Sequence, residues 1–143
     1  MISLKTPILP LRIILAIVGI VIVILGFDVA FGGIRTLGWL GPTDFIEVVN
    51  SSDFRVQDSH FRFLGGVWIG IGFVFVAGAF ALRQLRLVLI VLCGLVFIGG
   101  LARFTGPSFA TLFNLSVLPS LIAELFVFPL LGYWIARSGK DHH

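Results

Sequence analysis

The chain contains stretches that no water-soluble fold can hide. No charged residue occurs between Arg12 and Asp28, between Arg62 and Arg83, or between Arg86 and Arg103, and Glu124 alone interrupts the stretch from Phe104 to Ala136. With their apolar flanks these runs approach the roughly 20 residues that a helix needs to cross about 30 Å of hydrocarbon. A backbone inside a bilayer must satisfy its own polar groups, and helices do so within one segment. The composition agrees. Hydrophobic residues make up 58% of the chain and charged residues 12%, against about 45–50% and 25% in soluble domains, so too little polar surface exists to coat a globule. The expectation is an all-α integral membrane four-helix bundle, a single domain over 1–143, with spans near 8–28, 61–82, 86–104 and 116–136.

The first run is read as a retained span, not as a cleaved signal peptide, because it is longer than a signal sequence needs. Between it and the second span lie five of the seven acidic residues, with Gly32, Gly33, Gly38, Gly41 and Pro42. This reads as a longer extracytoplasmic loop, with Trp39 at the interface and a short helix Asp44–Val49 capped by Thr43. Asp58 or Ser59 is the expected cap of the second span. Arg83-Gln84-Leu85-Arg86 reads as a short polar break that forces an antiparallel hairpin. Thr105-Gly106-Pro107-Ser108 ends the third span, Phe109–Leu115 is too short to cross, and Ser116 opens the fourth.

Four spans place both chain ends and the Arg83–Arg86 connection on one side. That side carries Lys5, Arg12, Arg83, Arg86, Arg137 and Lys140, and the other Arg35, Arg55, Arg62 and Arg103. A Lys/Arg excess marks the cytoplasm, so the N and C termini are expected inside. The net charge of +3 is thereby explained by topology, and no basic cluster interleaved with aromatics points to nucleic acid. Cys93 is the only cysteine, which excludes an internal disulfide and metal sites built on paired cysteines. No nucleophile–base pair or phosphate loop stands out, so no catalytic residue, cofactor or metal is assigned.

Glu124 is the residue out of place. An ionisable group at membrane depth is costly and usually faces the protein interior with a partner. Arg62 begins the second span and Arg103 ends the third, so in a four-span topology both reach the level of Glu124, with His60 beside them. The expected site is a cluster of Arg62, Arg103, Glu124 and His60. It serves either as a structural tie or, since two arginines surround one carboxylate, as a holder of an anionic group. Gly66 and Gly70 form a small-xxx-small pair for close helix approach within the bundle or at a dimer face, Gly94, Gly99 and Gly100 do similar service in the third span, and Pro129 invites a kink next to Glu124.

At the residues Arg62-x-x-Gly65-Gly66, Gly70-x-Gly72, the Gly-rich end of the third span with Arg103, and Glu124, the chain resembles a family of small bacterial four-helix membrane proteins known as domain of unknown function 4345, with a looser likeness to DoxX-type proteins. The resemblance implies a bacterial inner-membrane bundle and supplies no activity. The functional expectation is an accessory subunit of a membrane complex, or a binder of lipid or an anionic small molecule, with membrane lipid and a protein partner or second copy as partners. The alternatives are a proton- or substrate-coupled transporter component and a membrane enzyme using Glu124 and His60.

Overall fold

Every long apolar run is helical in the computed structural model, which describes residues 8–36, 48–106 and 108–138. Among the described residues, four helical segments are long and apolar enough to cross a membrane: Ile8–Arg35, Ser51–Phe80, Leu82–Thr105 and Leu118–Arg137. The chain is an all-α, multi-pass membrane protein. Residue contacts divide it into two compact units, Leu15–Val76 and the remainder, which begins again at Ala77 and includes the start of the first helix.

In the first unit, helix α1 (Ile8–Gly32) runs five residues past Phe27, where its uncharged stretch ends. Asp28 is accommodated because its carboxylate accepts the Thr36 hydroxyl at 2.6 Å. The helix gives way to a 3-10 turn, Gly33–Arg35, in which Gly33 has φ of 65°, the left-handed conformation that favours glycine. The Asp44–Val49 helix, its Thr43 cap and Trp39 fall in or border residues 37–47, outside the described residues; Val48 and Val49, which are described, are not helical.

Helix α2 (Ser51–Phe80) starts earlier than expected. Asn50, not Asp58 or Ser59, is the cap: its Oδ1 accepts the N–H groups of Ser52 and Asp53 at 3.0 and 3.3 Å, and its Nδ2 donates to Asp53 at 2.7 Å. Thirty residues make a helix about 45 Å long, so its polar first two turns extend beyond the hydrocarbon.

The α1–α2 seam is built on glycines seven residues apart. A Cβ placed on Gly72 would stand 2.8 Å from both the Gly19 carbonyl oxygen and the Val23 nitrogen. One on Gly26 would stand 2.7 Å from the Ile69 nitrogen, and one on Gly65 would run into the Ala30 backbone. The pairs Gly19/Gly72 and Ala30/Gly65 define an antiparallel crossing in which Gly19 and Gly26 face Gly65 and Gly72. The expected Gly66/Gly70 pair takes no part in this seam: both are exposed, with nothing near an added Cβ. The seam follows a seven-residue repeat, which keeps two nearly antiparallel helices in register, and a neighbour one residue away points about 100° off it.

In the second unit, the connection from α2 to α3 (Leu82–Ala102) is the single residue Ala81, at φ −116° and ψ 44°. Arg83, Gln84 and Arg86 are therefore the solvated first turn of a helix and not a break. The reversal is tight, because Leu89 packs over Gly78, 2.6 Å from where a Cβ would sit. A 3-10 turn, Arg103–Thr105, closes α3, and Pro107 lies outside the described residues. A one-turn helix α4 (Phe109–Leu112) follows. The fourth span opens at Leu118, two residues later than expected, because Ser116 is held in a turn on the Asn114 side chain. That span is composite: α5 (Leu118–Ile122), a π-turn over Ala123–Val127, and α6 (Phe128–Arg137). It packs antiparallel on α3. Glu124 lies over Gly100 and Cys93 over Gly132, where an added Cβ would stand 2.8 and 3.2 Å from the facing Cβ. Of the third-span glycines expected to pack, Gly100 does so here, whereas Gly94 and Gly99 are exposed with open space beside them.

Candidate functional site

Glu124 is buried, with 6% of its surface exposed, and its partner is Arg103. Arg103 Nε donates to Oε2 and Nη2 to Oε1, both at 2.6 Å. Two parallel charge-assisted bonds between planar groups are the strongest form this pairing takes.

Three local features make the pair. Gly100 lacks a side chain where Glu124 crosses α3, and Arg103, three residues on, lies on the same side of the helix. Pro129 supplies the second feature. It has no N–H for the Leu125 carbonyl and its ring crowds that oxygen. The chain answers with a wide turn, in which the Phe128 N–H bonds back to the Ala123 carbonyl, so the expected kink takes the form of a π-turn. The third feature follows from it: the extra residue in that turn sets the rotation at which Glu124 meets α3. Such turns inside α-helices occur frequently at functional sites.

Arg62 has a different carboxylate. Its Nε donates to Asp58 Oδ2 at 2.6 Å, while Nη1 donates to the carbonyls of Phe31 at 2.7 Å and Ala30 at 3.2 Å. Asp58 also accepts the Ile34 N–H through Oδ1 at 2.9 Å. The arginine thus caps the end of α1 with positive charge where its carbonyls lack partners. Gly33 makes room, since any Cβ there would collide with the Asp58 carboxylate. The expected cluster of two arginines on one glutamate is replaced by two neutral pairs, one in each unit. Asp58, four residues before Arg62, is the competitor that sequence reasoning passed over; an i,i+4 carboxylate is always within reach on a helix. His60 is exposed on α2, in the unit that does not contain Glu124.

The two edges of the Arg103 guanidinium differ. Glu124 takes the Nε–Nη2 side. Nη1 has no hydrogen-bond partner among the described residues, and the side chain is 36% exposed. The arrangement can therefore accept one further planar or tetrahedral anion end-on. Among the described residues no three His, Cys, Asp or Glu side chains converge as a metal site would require.

No curated protein and no solved structure matches the chain. The family model described as "Domain of unknown function (DUF4345)" matches residues 10–135, and the chain belongs to that family.

Proposed function

We propose that this protein is a non-catalytic binding module of the bacterial inner membrane, with N and C termini in the cytoplasm, and that Arg103, oriented by Glu124, holds a carboxylate or phosphate group. The observation that carries this reading is the Nη1 edge, without a hydrogen-bond partner among the described residues, of a guanidinium whose plane is already fixed. Glu124 removes the orientational cost that a mobile arginine would meet on binding. The pair itself is neutral, so the ligand is held by charge-assisted hydrogen bonds and not by net charge. Both oxygens of Glu124 are occupied by Arg103, which favours a holding role over acid–base chemistry. The orientation is supported by the unequal distribution of Lys and Arg between the two sides.

The test is native mass spectrometry of the protein extracted from its own membranes, comparing wild type with Arg103→Gln and Glu124→Gln. The wild type carries an anionic adduct. Arg103→Gln loses it, and Glu124→Gln retains it with lower occupancy. Identical adducts in wild type and a folded Arg103→Gln protein overturn the reading.

A further inference from the structure

The α3–α6 pair carries a second feature, at the end opposite Arg103. A groove of about 300 Å³ runs between the two helices, lined by Ile90, Gly94 and Phe97 from α3 and Pro129, Tyr133 and Ala136 from α6. On α3 the residues Arg83, Arg86, Ile90, Gly94 and Phe97 follow one another at steps of three and four, so both arginines share the groove's face. The antiparallel register set by Gly100 on Glu124 and Cys93 on Gly132 brings Arg137 level with Arg86. The Arg137 guanidinium lies 5.3 Å over the ring of Tyr133, itself a wall of the groove. Arg83, Arg86 and Arg137 have no carboxylate partner among the described residues. In the sequence, Glu124 is the only acid between Asp58 and Asp141, and it is taken by Arg103.

We infer that this end of the α3–α6 pair is a site for one anionic phospholipid, with an acyl chain in the groove and the phosphate on Arg86 and Arg137, supported by Arg83. The groove, about 300 Å³ and walled mostly by apolar side chains, accommodates a segment of hydrocarbon chain. The chemistry agrees, since an apolar slot ending in guanidiniums that have no carboxylate partner among the described residues, at the end of two spans, matches an amphiphile whose charge sits at the headgroup level. The site is independent of Arg103 and stands whether or not that residue binds a ligand.

The test uses purified protein in mixed phosphatidylcholine–phosphatidylglycerol vesicles, with a photoreactive diazirine in the acyl chain of one lipid or the other. The phosphatidylglycerol probe labels groove residues in the tryptic peptides that begin after Arg86 and after Arg103, and the phosphatidylcholine probe does so weakly. Arg86→Gln and Arg137→Gln each lower the anionic probe's labelling about fivefold, the equivalent of about 1 kcal/mol per basic residue at a charged surface. Gly94 has open space around it, so Gly94→Leu fills the slot without disturbing the helix seam and moves the label elsewhere. Equal labelling by the two probes, or labelling indifferent to the arginines in folded variants, overturns the inference.

Discussion

Placing a methyl group on each of two glycines two residues apart gives opposite outcomes. At Gly72 the new Cβ would lie 2.8 Å from the Gly19 carbonyl oxygen and 2.8 Å from the Val23 nitrogen. Both are backbone atoms of α1, which no rotamer change can move, so the helices must separate by about 1 Å to reach ordinary contact. Overpacking of this kind costs about 1–3 kcal/mol. Nothing stands near a Cβ on Gly70, so Gly70→Ala keeps the seam and recovers up to about 1 kcal/mol of helix propensity. Reversible unfolding in mixed detergent micelles measures both. Gly72→Ala is expected to be destabilised and Gly70→Ala neutral or stabilised; both gain the same helix propensity, so the gap between them is the overpacking cost of roughly 1–3 kcal/mol. Because Gly19 faces Gly72, adding Gly19→Ala to Gly72→Ala should cost less than the sum of the two, as contacting residues couple. Equal losses at Gly70 and Gly72 would show that the seam runs along the small-xxx-small face and refute the seven-residue register.

Glu124→Ala removes two charge-assisted hydrogen bonds but leaves a guanidinium that is about one-third exposed, so it is expected to cost about 1–3 kcal/mol; exchanging the two residues, Arg103→Glu with Glu124→Arg, should recover part of the loss, and no recovery would argue against a direct pair. Gly33→Ala forces an L-residue into a left-handed conformation, worth roughly 1–2 kcal/mol, and drives the methyl into Asp58, so thermal stability in detergent should fall; an unchanged melting temperature contradicts the clamp. Pro129→Ala restores a donor for the Leu125 carbonyl and allows the π-turn to relax to an α-helix, which should carry Glu124 away from Arg103. In that background Glu124→Ala should become nearly neutral, and a full-sized penalty would show that the turn does not aim the carboxylate.

The spans and the Arg103–Glu124 pair were legible because both rest on cost. A long apolar run has only one tolerable environment, and a carboxylate in the middle of one needs a cation at its own depth. Arg62 was misassigned because composition ranks partners by charge and level, whereas Asp58 on the same helix is four residues away. The glycines failed for a related reason: Gly65 and Gly66 are indistinguishable by hydropathy, yet about 100° of rotation separates them, and the matching seven-residue spacing in α1 was the signal that picks the right one. Asn50 as the cap was visible in Asn50-Ser51-Ser52-Asp53, where an acceptor precedes an acidic residue in the first turn. Nothing in the sequence at Ala81 marks it as the turning point. The π-turn was half visible, since Pro129 announces a disturbed turn but not whether the helix bends or widens.

The π-turn also bears on how relatives of this chain should be compared. It accommodates one residue more than an α-helix of the same length would use, so it behaves as an insertion hidden inside a continuous helix. A family member lacking one residue between Leu118 and Pro129 would still show four apolar runs and a glutamate near the same place, with that glutamate turned to a different neighbour. Whether an acidic residue in another member corresponds to Glu124 is therefore a question of counting residues back from the proline, not of finding an acid in the fourth span.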